Sequence, residues 1–136
     1  MIKPITINIL KELIKELELE NWIINLTKVE PRSICQFNKG KFNFIFDDKW
    51  AITYCLPMSK IAEIYLLPNK ENIKKLLRHE LLHVKLSPFI YMKMTEIELT
   101  VQDKEEARKK HLELRRMEHR MIDKIEKKIE GGEING

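Results

Sequence analysis

The segment from residue 72 to residue 86 constrains this chain most. Ile73, Leu76, Leu77, Leu81, Leu82, Val84 and Leu86 recur at helical spacing, and they cover most of the helix circumference rather than one stripe. Such a helix has to be enclosed by the rest of the chain. Asn69 or Asn72 is its expected cap, and Ser87-Pro88 its expected end. Inside this apolar helix the sequence places His79, Glu80 and His83. Burying two imidazoles and a carboxylate is costly unless something pairs with them. The fold must therefore both wrap this helix and satisfy a polar group within it.

The rest of the chain supplies the wrapping. Leu10, Leu13, Ile14 and Leu17 give residues 6–20 the period of an amphipathic helix. Between Trp22 and Pro68 the period changes to two. Ile23–Val29, the two sides of an Asn38-Lys39-Gly40 turn (residues 33–37 and 41–46), Trp50–Leu56 and Ile61–Leu67 read as strands. Thr95 and Glu98 resemble a capping box opening a second long helix that runs to about Glu130, where Gly131-Gly132 is the expected stop. The expected fold is α+β: an N-terminal helix, a small and mostly antiparallel sheet, a buried helix and a long C-terminal helix. We expect a catalytic domain over residues 1–115 and a helical extension with a tail over 116–136. At 136 residues and 43% hydrophobic content, the chain can bury a core without a disulfide or metal to hold it. No apolar run approaches the length of a membrane span, and residues 1–4 do not begin a secretory signal. With only two cysteines, Cys35 and Cys55, the expectation is a reducing, cytoplasmic setting, although a single bridge between them stays open.

His79-Glu80-Leu81-Leu82-His83 carries the chemistry. Histidines four apart lie on one helical face, one turn from each other, so both imidazoles can bind one zinc ion. Glu80 follows the first of them and can reach a water on that metal. Zinc lowers the pKa of the water toward ~7, and the carboxylate takes its proton during attack on a carbonyl. This is the HExxH arrangement of zinc peptidases.

A strand, a helix bearing HELLH and a further helix with an acidic start resemble the core of the zincin metallopeptidases. The small size and the leading helix resemble the minigluzincins in particular, a group of small soluble archaeal zinc peptidases. The resemblance implies one zinc per chain, a peptide or protein substrate, and a third zinc ligand from a glutamate on the following helix. Glu96 is the preferred candidate. It shares a stripe of small and apolar residues with Thr100, Asp103, Ala107, His111 and Leu114, and Glu96-Ile97-Glu98-Leu99-Thr100 resembles the Glu-x-x-Ala-Asp stretch of related enzymes. Glu98, Asp103, Glu105, Glu106, Glu113 and Glu118 are the alternatives. Tyr91 offers a phenol to an oxyanion, or simply an aromatic anchor. The strand Ala62–Leu67 is a candidate rim onto which an extended peptide could add. Cys55 offers a thiolate as in peptide deformylases, but Tyr54 stands where those carry Gly.

Two further expectations concern partners. Lys and Arg number 25 against 21 Asp and Glu, a net charge of +4. Arg108-Lys109-Lys110 and Arg115-Arg116 suggest an alternative class, a basic helical protein that binds nucleic acid or a partner without catalysis. Glu105, Glu106, Glu113 and Glu118 interrupt those runs, so nucleic acid is the weaker expectation. Leu114, Met117, Met121, Ile125 and Ile129 form a near-heptad apolar series, which predicts a homo-oligomer through the C-terminal helix with low basal activity.

Overall fold

A computed structural model describes residues 2–30, 44–68 and 72–135. The architecture is α+β. Helix α1 spans Pro4–Glu16, strands β1 to β4 span Ile23–Lys28, Phe44–Asp47, Ala51–Leu56 and Ile61–Leu66, and helices α2 and α3 span Ile73–Thr100 and Lys104–Asn135. The chain divides into two compact units, Met1–Ser87 and Pro88–Gly136.

Pro4 at the first position starts α1, where a missing N–H costs nothing. The helix ends in a Schellman motif. Leu19 N–H donates to Ile14 C=O at 2.8 Å and Glu18 N–H to Lys15 C=O at 3.2 Å, with Glu18 left-handed at φ 57°. Leu10, Leu13, Leu17 and Leu19 are the buried side of this segment.

The sheet has the order β1-β4-β3-β2. β2–β3 and β3–β4 are antiparallel, while β1 runs parallel to β4. The sheet is thus mixed, with antiparallel pairings in the majority. β4 is flanked on both sides, so the strand expected to accept an added peptide has no free edge. The Asn38-Lys39-Gly40 turn lies outside the described residues, as do Asn69 and Cys35.

Alternation along each strand sorts the side chains onto two faces. Register places Ala51, Thr53 and Cys55 of β3 on one face with Ala62, Ile64 and Leu66 of β4 and Phe46 of β2. Ile52 and Tyr54 point the other way and pack with Val29, Tyr65, Leu67 and Ile45 in a second cluster. Tyr54 meets Tyr65 edge-on at 5.6 Å, and the Tyr65 hydroxyl donates to Glu63 Oε2 at 2.7 Å. Cys55 is buried.

Helix α2 corrects the expected stop at Ser87-Pro88 and the expected new start at Thr95. It runs through both as one helix of 28 residues. Pro88 has no N–H to give Val84 C=O, the bond an interior helical residue would make. The Ser87 hydroxyl donates to that carbonyl instead, at 2.7 Å, and is fully buried. A polar group that would otherwise be orphaned is satisfied, and the helix continues. Thr95, Glu98 and Tyr91 are consequently helix-interior positions. The break comes after Thr100, whose hydroxyl turns back to Glu96 C=O at 2.7 Å. Asp103 then caps α3 by accepting from Glu105 N–H at 3.0 Å. Helix α3 does not stop at Gly131-Gly132 but continues to Asn135. Along it Leu114 is buried, and Met117, Met121, Ile125 and Ile129 are half-buried.

Candidate metal centre

The candidate centre lies wholly within the first unit and is built from α2 and the β2–β3 connection. Asn72, rather than Asn69, opens α2: its Oδ1 accepts from the N–H groups of Lys74 and Lys75 at 3.0 and 3.3 Å. The next two turns carry the histidine motif. Leu77, Leu81, Leu82 and Val84 are at most 1% exposed, as an enclosed helix requires.

The β2–β3 connection is tight, closed by Asp48 N–H donating to Ala51 C=O at 3.0 Å. It directs Asp48 at the two histidines. Asp48 Oδ2 lies 3.2 Å from His83 Nε2 and 3.6 Å from His79 Nε2. The imidazoles sit edge to face, 4.9 Å apart at 80°. Phe46, at the end of β2, stacks on His83 with centroids 4.5 Å apart and planes 19° apart. This fixes the ring that is also the more enclosed. From β3, the Thr53 hydroxyl donates to Glu80 Oε1 at 2.6 Å, both residues being fully buried.

One ligand atom each from Asp48, His79, Glu80 and His83 falls within 4.8 Å of the other three. Two imidazoles and two carboxyl groups are a donor set that suits a divalent cation. Burial alone would raise the Asp48 carboxyl. Hydrogen bonds with His83 and Glu80 and the positive charge the two imidazoles can carry outweigh burial and hold it well below the usual carboxylate range. Asp48 is thus an ionised donor facing two imidazole nitrogens. The group has the make-up and spacing to hold a metal ion. It is closed on the side of Glu80 and His83 and opens on the side of His79 and Asp48, whose side chains keep 25% and 24% of their exposure.

His79, Glu80 and His83 come together as their spacing implies. Glu96 does not join them. It belongs to the second unit, Pro88–Gly136. Its carboxylate is 62% exposed and lies 3.6 Å from Lys93 Nζ. Among the alternatives, Asp103 is the α3 cap, Glu106 lies 4.0 Å from Lys110, and Glu98, Glu105 and Glu113 are exposed. Glu118 is buried within the second unit's helix. Neither these residues nor Cys55 belong to the gathered group.

Asp48, Thr53 and Phe46 are the residues that sequence reasoning missed. Asp48 sits in Asp47-Asp48-Lys49, which reads as ordinary turn chemistry. Thr53 left a fainter signal. It is the one aliphatic hydroxyl in the strand Ala51–Leu56, whose other residues are apolar apart from the Tyr54 phenol.

Compared with models of known families, with curated proteins and with solved structures, the chain matches none. None of the described helices is long and apolar enough to cross a membrane.

Proposed function

We propose that this chain is a zinc-dependent hydrolase of peptide bonds, with the ion held by His79, His83 and Asp48 and with Glu80 as general base. The observation that carries the reading is the convergence of four ligand atoms within 4.8 Å on one buried helix and one turn. Two imidazoles and one carboxylate are a donor set common to hydrolytic zinc sites, with Asp48 taking the place first expected for Glu96. When bound, the ion supplies Lewis acidity, which polarises a carbonyl and makes a water more acidic.

The chain's own groups do the remainder. Glu80 is one residue from His79 and is enclosed, so its carboxylate is protected from bulk water and aimed by its neighbours. It accepts a proton from the attacking water and returns it to the departing amine. Phe46 holds the His83 ring in plane. The exposed edges of His79 and Asp48 leave the approach open to an extended chain. The resemblance of the HELLH helix to that of the minigluzincins supports a peptide as substrate.

Purified protein should contain close to one zinc per chain, and changing both His79 and His83 to Ala should remove it. Glu80→Gln should retain the ion and lose hydrolysis of an unfolded protein substrate such as casein. A Glu80→Gln protein as active as the parent would refute the mechanism, and full zinc in the double histidine variant would place the ion elsewhere.

A further inference from the structure

We infer that the outer edge of β1 pairs antiparallel with the same edge of a second copy of this chain, joining two four-stranded sheets into one. The inference does not rest on the metal centre. It moves the second copy expected along the C-terminal helix to the sheet edge.

The backbone of β1 has one satisfied side. Ile23 N–H donates to Lys60 C=O at 2.8 Å and Val29 N–H to Leu66 C=O at 2.9 Å. With the register of Ile23 beside Ile61, these bonds turn residues 23, 25, 27 and 29 toward β4. Alternation then turns the N–H and C=O groups of Ile24, Leu26 and Lys28 outward, where no strand lies among the described residues. The edge carries none of the usual protections. Ile23–Lys28 has no Pro and no Gly, and its one charge is at the last position. Its side chains are also incompletely covered. Ile24 and Leu26 continue the sheet face that carries Ala62 and Ile64, yet both are only half-buried, and Ile23 on the other face is 60% exposed. In β3, which is paired on both sides, five of the six residues are fully buried.

A second copy fits this edge in one register. Setting Leu26 opposite Leu26 puts Ile24 opposite Lys28 at either side, so all three outward residues exchange both of their main-chain bonds. On the other face Asn25 meets Thr27, and the exposed Ile23 meets Val29. Like is set against like in polarity, and the Lys28 stem lies over Ile24. The two Lys28 residues stand four positions apart, ~13 Å at ~3.3 Å per residue, beyond the screening length of physiological salt. Sliding the copies one way calls on Trp22, whose N–H already donates to Leu19 C=O at 3.0 Å. Sliding them the other way brings the two lysines together and runs past the end of the strand. The charge pattern thus selects the two-fold arrangement with Leu26 at its axis.

The test follows the mass of the full chain by light scattering through a dilution series. The parent should pass from dimer to monomer on dilution. Asn25 and Thr27 are exposed, so charges placed there spare the core. Asn25→Lys with Thr27→Lys sets like charges opposite each other twice, and so does Asn25→Glu with Thr27→Glu. Each of these proteins alone should show a dissociation constant raised about tenfold, and an equal mixture of the two should regain parental affinity or exceed it. Leu26→Pro is a second probe: the N–H it removes faces outward, so pairing with β4 is kept while the dimer should be lost. A parent that stays monomeric at millimolar concentration overturns the inference, whether the edge then takes up an extended peptide or nothing. A dimer that both charge variants leave intact, or that their mixture does not favour, lies on another surface and overturns it too.

Discussion

His83→Ala is the most informative single change, because it removes a packed ring and a proposed metal ligand at once and the two losses can be read separately. The His83 side chain is 1% exposed, stacks on Phe46 at 4.5 Å and lies 3.2 Å from Asp48 Oδ2. Truncating a ring enclosed in this way leaves a cavity and deprives a half-buried carboxylate of a partner, together about 2–4 kcal/mol. That cost is present in chelator. Zinc adds a second difference. At a free concentration a hundred times its dissociation constant, an ion that binds only the folded state contributes about 2.7 kcal/mol. For a unit the size of Met1–Ser87, each kcal/mol moves the melting midpoint by about 4–8 °C, so zinc should raise that of the parent by roughly 10–20 °C. Trp22 and Trp50, the chain's two tryptophans, both lie in this unit, so tryptophan fluorescence during thermal melting isolates it. The parent in chelator should melt above the variant, and zinc should widen the gap by stabilising the parent alone. An equal zinc-induced rise in both proteins would refute His83 as a ligand, and no rise in the parent would refute the centre.

Three further outcomes are expected. Asp48→Asn should weaken zinc by at least tenfold in a competition titration against a chromogenic chelator, while Glu96→Gln should leave the affinity unchanged; the reverse would restore Glu96 as the ligand. Ser87→Ala should cost about 1–3 kcal/mol in urea unfolding, because Val84 C=O loses its donor in a buried part of α2 where Pro88 cannot replace it; a neutral result would mean that the carbonyl finds another partner. Glu18→Gly should raise stability by about 0.5–1 kcal/mol, since Glu18 occupies the left-handed position of the α1 Schellman motif at φ 57°; destabilisation would show that its side chain matters more than its backbone.

The parts of the fold legible in the sequence are those written in local periodicity. Strands β1, β3 and β4 fall within a residue or two of their alternating runs, and α1 within a few of its apolar series. The enclosure of the His79–His83 segment followed from its apolar circumference. What local pattern could not show was decided by contacts elsewhere. Pro88 reads as a helix stop because the sequence does not reveal that Ser87 will satisfy the Val84 carbonyl. Read with that stop, the sequence puts Glu96 on a separate helix. The parallel pairing of β1 with β4 depends on chain crossing, which no two-residue period encodes. Asp48 and Thr53 have the same cause: each is unremarkable in its own segment and acquires chemistry only from what the sheet register sets beside α2.

The strand order bears on when the centre forms as the chain folds. β2, β3 and β4 follow one another through short turns, so the meander forms from local pairings. The centre does not: Thr53 meets Glu80 across 27 positions, and Asp48 meets His83 at greater separation still, much as β1 pairs Ile23 with Ile61. Docking α2 and docking β1 both close long loops at an entropic cost the hairpins do not incur. The meander should therefore be assembled in the transition state, with α2 and β1 docking afterwards, so that zinc finds its ligands gathered only when α2 is in place. In stopped-flow measurements the ion should mainly retard unfolding, and conservative substitutions in β1 should act almost entirely on the unfolding rate.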